Sequence, residues 1–178
     1  MRRVILLLFI LIAAYIGYPY LTLYRLDRAL LTNDQTALIR VVDFPSVRAD
    51  LKSEVQGQVF GKADEFAEKR PILGAFGQAL AGLFASDLVG GAVDSVVTPE
   101  AILNSDIVVE HQRNDKSFAP FVTYAFFSGP TTFTFDLKDP EKPDSPTLAA
   151  IMELTGFRWR VVAIKLPPVG SWFANGPE

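Results

Sequence analysis

The 178-residue chain contains no cysteine and a single histidine, His111. Without cysteine there is no disulfide, no thiolate nucleophile and no zinc site of the cysteine type. With one histidine, any metal site that needs two imidazoles is excluded as well. The sequence therefore predicts neither a metal site nor a redox-active thiol.

The common phosphate-binding and nucleophile motifs are also missing. The sequence has no G-x-x-x-x-G-K-[ST] loop for a nucleotide phosphate and no G-x-S-x-G turn for a strained serine. The chain after its long apolar run is acidic. Two of the 17 basic residues precede that run, so 15 basic residues remain against 20 acidic ones. This balance argues against a nucleic-acid partner. We predict no cofactor and find no catalytic template.

What the chain does have is an apolar run over residues 4–16, directly after Arg2 and Arg3. A membrane-spanning helix needs about 20 residues, and residues 17–21 extend the run toward that length with Tyr18 and Tyr20, a residue type enriched at membrane interfaces. We predict that residues 1–21 form a retained signal anchor with its N-terminus in the cytoplasm. The alternative is a cleaved signal peptide, which leaves a secreted domain.

Residues 22–178 are long enough for one domain with a real core. We predict a single extracytoplasmic domain with a helical part at 22–105, a sheet at 106–166 and a tail at 167–178. Leucines at 23, 26 and 30 indicate an amphipathic helix that leaves the membrane. Because Arg25 and Arg28 are interleaved with Asp27, no polybasic lipid-binding patch is predicted.

Three further helix starts follow from capping residues. Asn33 is predicted to cap a second helix, Asp43 precedes a third with Pro45 in its first turn, and Thr98-Pro99-Glu100 begins a fourth that ends near Asn104.

Residues 71–86 are uncharged and predict a buried or interfacial helix. A second span is the alternative, but it requires extension to residue 97, which brings Asp87 and Asp94 into the bilayer at about 2.5 to 3.5 kcal/mol each. An irregular segment is the third interpretation.

Beyond residue 115 the pattern alternates, as in strands. We predict a central strand within 118–127, a half-buried strand at 132–137, and a hairpin of 148–154 with 157–166 in which Leu154 pairs with Phe157 and Met152 with Trp159. Residues 107–112 are a candidate fifth strand. The predicted fold is α+β, with helices packed on a curved antiparallel sheet of four or five strands, an order that resembles the NTF2-like (cystatin-like) architecture.

The aromatic residues of these strands are the candidate pocket lining: Tyr124, Phe133, Phe135, Met152 and Trp159. The alternative is that they fill a solid core. Alternation places Trp159 inward and Arg158 and Arg160 outward, where the arginines are either solvated or bind an anion. In the tail, Trp172 and Phe173 either dock on the domain or meet a partner.

His111 and Asp106 are the weak catalytic candidates. A mixed metal site of Asp106, Glu110 and His111 requires three convergent side chains, and on a strand Glu110 and His111 point to opposite faces. We therefore predict no site here.

Several segments resemble a bacterial family catalogued only as domain of unknown function 2939. These are YPYLTLYRLDRALLTNDQTALIRVVDFPSVRADLK, VVTPEAIL and the closing GFRWRVVAIKLPP. The resemblance implies a bacterial protein and supports an envelope-anchored α+β fold. Together with the predicted anchor, it places the protein in the bacterial inner membrane with one span and its domain on the periplasmic side. It brings no activity, ligand or catalytic residue.

The sequence thus favours a non-catalytic, membrane-tethered module that binds an envelope protein partner or an apolar small ligand. The alternative is a pocket enzyme of NTF2-like type that uses a buried acid or base.

Overall fold

The computed structural model describes residues 2–60, 93–141 and 147–165. Helices come first and an antiparallel sheet follows, so the predicted α+β class with an N-terminal apolar helix is confirmed. The uncharged block at 71–86 and the tail with Trp172 and Phe173 lie outside the described residues. The NTF2-like likeness and the division of the chain at residue 21 stay predictions.

The first helix, α1, runs through Arg2–Leu31 and joins the apolar run and the amphipathic segment into one rod of about 45 Å. It contains Pro19, and three residues further along the hydroxyl of Thr22 donates to the carbonyl oxygen of Tyr18 at 3.3 Å. Residues of the apolar run are exposed, whereas Thr22 and Ala29 are buried. Among the described residues, α1 is the one helix long and apolar enough to cross a membrane, a criterion that a signal sequence also meets.

Helix α2, Gln35–Val41, begins one residue later than predicted. Asp34 is its cap and accepts a hydrogen bond from the backbone nitrogen of Ala37 at 2.9 Å. The predicted cap Asn33 is wrong, because this residue adopts the left-handed conformation at φ 54° after the end of α1. Asparagine tolerates that conformation better than most residues, and Asp34, the next residue, therefore caps α2.

The other two predicted helix starts are confirmed. Helix α3, Phe44–Phe60, follows Asp43, whose carboxylate accepts from the backbone nitrogen of Ser46 at 3.3 Å. Helix α4, Pro99–Leu103, follows Thr98, whose hydroxyl accepts from the nitrogen of Ala101 at 3.1 Å.

The predicted fifth strand is wrong, because residues 107–112 belong to helix α5, Asp106–Asn114. The β-branched residues of this segment favoured a strand. Asp106, however, lies in the first turn, where its charge complements the helix dipole, and Asp115 ends the helix in the left-handed conformation at φ 47°. The described residues therefore form a sheet of four strands.

These strands are antiparallel and lie in chain order: β1 Val122–Gly129, β2 Thr132–Leu137, β3 Leu148–Thr155 and β4 Arg158–Lys165. The predicted central strand over 118–127 is wrong. A 3₁₀ turn occupies Ala119–Phe121, and β1 is an edge strand on which Tyr124 and Phe126 are exposed. In β2 the predicted alternation is confirmed, because Phe133 and Phe135 are buried.

The hairpin of β3 and β4 turns one residue later than predicted, at Gly156 and Phe157. Leu154 pairs with Trp159 and Met152 with Val161. The predicted loop of Thr155 and Gly156 would place a β-branched residue at positive φ; instead Gly156 (55°) and Phe157 (64°) adopt it, as a two-residue type I′ turn requires. The pairing moves by two residues along β4, which leaves each side chain on the same face of the sheet. Trp159 therefore faces the core as predicted.

The core lies between the inward face of the sheet and helices α1 to α4. Its aromatic part reaches the turn end of the sheet, where the ring of Tyr15 stacks on Phe127 at 5.7 Å. Beside it, the hydroxyl of Tyr18 donates to the carbonyl oxygen of Phe157 at 3.0 Å. The turn that carries Phe157 therefore lies against the end of the apolar run. The buried core residues are Ala29, Leu38, Val41, Val42, Phe44, Val47, Leu103, Phe133, Phe135, Ala150, Met152, Trp159 and Val161.

The segment between α2 and α3 covers the edge of β4. Val42 forms a parallel bridge with Val161, and the nitrogen of Asp43 donates to the carbonyl oxygen of Val161 at 2.8 Å. The guanidinium of Arg160 holds this segment, since it pairs with the Asp43 carboxylate at 3.0 Å and donates to the carbonyl oxygen of Val42 at 3.1 Å. Arg160 is thus committed to a structural contact.

Lys165 joins β4 to α3. Its ammonium lies 2.6 Å from a carboxylate oxygen of Asp50 and 3.3 Å from one of Glu54. The hydrogen bond to Asp50 raises the pKa of Lys165 above 10.5, although desolvation opposes it. The stabilisation is therefore fully present below pH 10.5 and declines as the pH rises through the higher folded pKa.

We expect Asp50→Asn to lower the pKa of Lys165 toward its ordinary value, because the charged acceptor is lost. A ¹⁵N NMR titration of the lysine side chains measures this directly. Asp115→Asn, at the end of α5, is the matched control and should leave the pKa of Lys165 unchanged. An unaltered pKa in the Asp50 variant would contradict the pairing.

Candidate functional site

A large apolar cleft lies beside the second half of α1. Its volume is about 1100 Å³, slightly above the range of about 300 to 1,000 Å³ typical of small-molecule sites. One wall comes from α1, and the others come from α5, the 3₁₀ turn and strands β1 and β2. The apolar lining residues are Tyr20, Leu23, Tyr24, Leu26, Leu30, Leu31, Ile107, Phe118, Ala119, Phe121, Val122, Ala125, Phe135, Leu137 and Leu148.

Three hydrogen bonds hold the walls of this cleft in place. The carboxylate of Asp27 accepts from the backbone nitrogen of Phe118 at 2.7 Å and from the hydroxyl of Ser117 at 3.1 Å. The side-chain amide of Gln112 donates to the carbonyl oxygen of Leu30 at 2.7 Å, one of the carbonyls at the helix end that lack a partner within the helix. The cleft is therefore framed by fixed contacts between α1 and the segment that precedes β1.

The predicted lining residues occupy different places. Phe135 lines the cleft, whereas Phe133 and Met152 are fully buried in the core behind it. Trp159 is 2% exposed and packs near Phe133, with ring centroids 6.4 Å apart. Tyr124 pairs with Asp136 on the opposite face of the sheet and is 52% exposed. Of the five, only Phe135 therefore belongs to the cleft lining.

The two catalytic candidates lie on α5, outside the cleft lining. Asp106 is exposed in the first turn. The ring of His111 stacks on Phe118 at 4.3 Å, and its Nδ1 lies 2.8 Å from the carbonyl oxygen of Ile107, which accepts its hydrogen when Nδ1 is protonated. His111 thus supports the cleft wall from behind. Among the described residues, no group of three His, Asp or Glu side chains could hold a metal ion.

A second, smaller concavity of about 670 Å³ lies on the other side of α1. We call it the basic groove, because four exposed arginines line it: Arg25, Arg28, Arg40 and Arg158. The one acidic residue in the lining is Asp34, whose carboxylate already caps α2. No ion pair or hydrogen bond of these four guanidinium groups is found within the described residues. The groove thus concentrates positive charge in a chain that is acidic overall.

The sequence did not reveal this groove, because its arginines come from three elements. Arg25 and Arg28 are on α1, Arg40 is on α2 and Arg158 is on β4. Asp27 lies on the opposite face of α1 from Arg25 and is engaged by Ser117 and Phe118, whereas Arg28 lines both the groove and the cleft. A helical projection of α1 could have separated Asp27 from Arg25, but the contribution of β4 depends on the tertiary fold.

Comparison with known proteins places these features in a family. Residues 8–104 match DUF2939, which is described as a protein of unknown function, and this match covers more than half of the chain. The chain belongs to the DUF2939 family. The DUF2939 match includes α1 to α4 and three of the four groove arginines, whereas the sheet and the closing GFRWRVVAIKLPP segment lie beyond it. No match was found among curated proteins or among solved structures.

Proposed function

We propose that this protein is a membrane-tethered binding domain on the periplasmic side of the inner membrane, and that its apolar cleft accepts an aliphatic chain. The cleft carries the proposal, because a lining this apolar and this large recognises ligands mainly by removing apolar surface from water. The domain would then act as a non-catalytic receptor for an apolar ligand at the bacterial inner membrane.

The tether rests on the length and charge of α1. Between Arg3 and Arg25 lie 21 uncharged residues, which span about 32 Å as a helix. The sheet contacts of Tyr15 and Tyr18 fall within this stretch, so residues 4–14 are the part that enters the bilayer before the folded domain begins. Arg2 and Arg3 favour the cytoplasmic side for the N-terminus, so the domain would emerge on the opposite side.

An aliphatic chain from the bilayer is the occupant that best fits the position of the cleft. Tyr20 and Tyr24 form its end nearest to the membrane, and Leu23, Leu26 and Leu30 continue along the same face of α1. A lipid chain could therefore move from the bilayer along α1 into the cleft without crossing water.

The polar groups of the cleft favour binding over acid–base catalysis. Asp27 is engaged by two donors that hold the wall, and His111 stacks behind that wall. A catalytic acid or base must lie within hydrogen-bond reach of a bound substrate; His111 does not line the cleft, and the Oδ1 atom of Asp27 already accepts the two bonds that hold the wall.

Filling the cleft should exclude the ligand. Ala125 lies on β1 with its side chain on the face of Phe135, toward the cleft. In nanodiscs that contain a phospholipid with a diazirine on its acyl chain, we expect photocrosslinks to the cleft residues of the wild type. Ala125→Phe should reduce them roughly tenfold, because the new ring occupies the volume that the acyl chain needs.

Ser128→Phe is the matched control, since it adds the same ring to the opposite, exposed face of β1. It should leave the crosslinks at wild-type intensity. Crosslinks confined to residues 4–16, or equal in both variants, would contradict the proposed cleft ligand.

A further inference from the structure

The basic groove on α1 offers a second binding chemistry, independent of the apolar cleft. We infer that this groove binds a phosphate-bearing anion, and that its position selects the headgroup of an anionic phospholipid. Arginine suits this role because its planar guanidinium donates paired hydrogen bonds to phosphate oxygens.

The first step is the charge of the groove. Arg25, Arg28, Arg40 and Arg158 surround it, and Asp34 is the only acid in its lining. The Asp34 carboxylate accepts from the nitrogen of Ala37 and is thereby committed to the start of α2. Four like charges repel one another, and a bound anion relieves that repulsion.

The second step is the separation of the groove from neighbouring acids. On α1, residues 18, 22, 25, 29 and 32 lie on one face and line the groove, whereas Asp27 lies on the opposite face and lines the cleft; Tyr24 and Arg28 lie between these faces and line both. Beside Arg158, Arg160 is paired with Asp43 and does not line the groove. The fold therefore holds four guanidinium groups together without a matching set of carboxylates.

The third step is the position of the groove relative to the bilayer. Tyr15 and Tyr18 of α1 already contact the sheet, so the folded domain begins at their level, and Arg25 lies seven residues, about 10 Å along the helix, beyond Tyr18. Arg158 follows Phe157, whose carbonyl oxygen accepts from Tyr18 and whose side chain is 91% exposed. The turn of β3 and β4 thus carries an apolar ring at the level of the membrane interface and a guanidinium directly beside it.

The volume of the groove, about 670 Å³, lies within the range of small-molecule sites and leaves room for a phosphate with its glycerol substituent. Tyr18 and Trp159 contribute the less polar part of the lining. This combination of rings and arginines suits an amphiphilic headgroup with a single negative charge.

The test is a binding titration of the full-length protein in a non-ionic detergent, measured by isothermal titration calorimetry. The probes are dihexanoyl phosphatidylglycerol and inorganic phosphate, which separate a lipid headgroup from a free anion. For Arg25→Gln combined with Arg158→Gln, we expect the affinity for phosphatidylglycerol to fall at least roughly tenfold, since two charged donors are lost. Arg25→Gln with Arg40→Gln should give a loss of similar size and is a second route if the first variant does not fold.

Arg113→Gln is the control, because Arg113 is exposed on α5 and does not line the groove. A loss for phosphatidylglycerol alone assigns the lipid headgroup, and a loss for both probes assigns phosphate recognition from either source. If neither double variant binds either probe more weakly than Arg113→Gln does, the inference is overturned. The cleft variant Ala125→Phe should bind inorganic phosphate, which has no acyl chain, as the wild type does, so failure of the cleft proposal and failure of this one are distinguishable.

Discussion

Replacement of Trp159 by alanine should lower the free energy of unfolding by about 3 to 5 kcal/mol. For a chain of this length, that corresponds to a fall in Tm of roughly 6 to 20 °C. The indole ring is 2% exposed and packs near Phe127, with centroids 5.8 Å apart, and near Tyr15 at 6.4 Å. Alanine would leave a cavity where β4 meets β1 and α1. Urea unfolding of the detergent-solubilised protein, followed by near-UV circular dichroism, measures the change.

Two control variants separate packing from other effects. Phe157→Ala removes an aromatic ring two residues earlier from a 91% exposed site and should change the unfolding free energy by no more than about 0.5 kcal/mol. Trp159→Phe should cost less than alanine, because the indole Nε1 has no hydrogen-bond partner within the described residues and only packing volume is lost. Equal stability of Trp159→Ala and Phe157→Ala would show that Trp159 is not part of a solid core.

Two arginines within the apolar run should remove the protein from the membrane. Each arginine near the middle of a span costs about 2.5 to 3.5 kcal/mol, so Leu8→Arg with Leu11→Arg costs about 5 to 7 kcal/mol, enough to offset the roughly 3 to 6 kcal/mol by which residues 4–16 favour lipid. Both side chains are exposed on α1, at 57% and 67%, so the change leaves the core untouched. Extraction of isolated membranes with alkaline carbonate should release this variant and retain the wild type.

Leu8→Phe with Leu11→Phe is the apolar control and should remain in the membrane fraction. The intact mass of the wild type from membranes distinguishes a retained anchor from a cleaved signal peptide, because cleavage removes the N-terminal residues. Carbonate resistance of the arginine variant would argue against the proposed span.

The sequence predicted most of the architecture where a residue acts locally. Thr98 and Asp43 mark the starts of α4 and α3 because capping and the conformation of a following proline are properties of a few neighbouring residues. The alternation in β2 identified Phe133 and Phe135 as core residues because only one face of that strand is fully buried. These predictions required no knowledge of the tertiary fold.

The errors arose where two local signals competed. The β-branched run at 107–112 suited a strand, yet Asp106 and Asp115 supply the ends of a helix, and the helix formed. In the hairpin the hydrophobic pattern was compatible with two registers of the same parity. The positive φ of Phe157 decided between them, and pattern alone carries no information on that backbone angle.

The candidate sites were harder to predict from the sequence than the fold was. Phe135 was predicted correctly to lie on the inward face, but the cleft beside it depends on how Phe118 and Ser117 are held by Asp27, 90 or more residues away. The basic groove likewise depends on Arg158 reaching α1 across the fold. Contacts between residues this far apart in the chain leave no periodic signal.

The unbroken course of α1 limits how far this domain could operate from a bilayer. The helix continues from the apolar run through Pro19 to Ala29 in the core, and the contacts of Tyr15 and Tyr18 brace the sheet against the part of it that precedes Pro19. A domain joined in this way has no flexible linker between it and the apolar run. With α1 in the bilayer as proposed, the domain would tilt together with the transmembrane part of the helix. It would then contact only molecules that come within one domain width of the lipid surface.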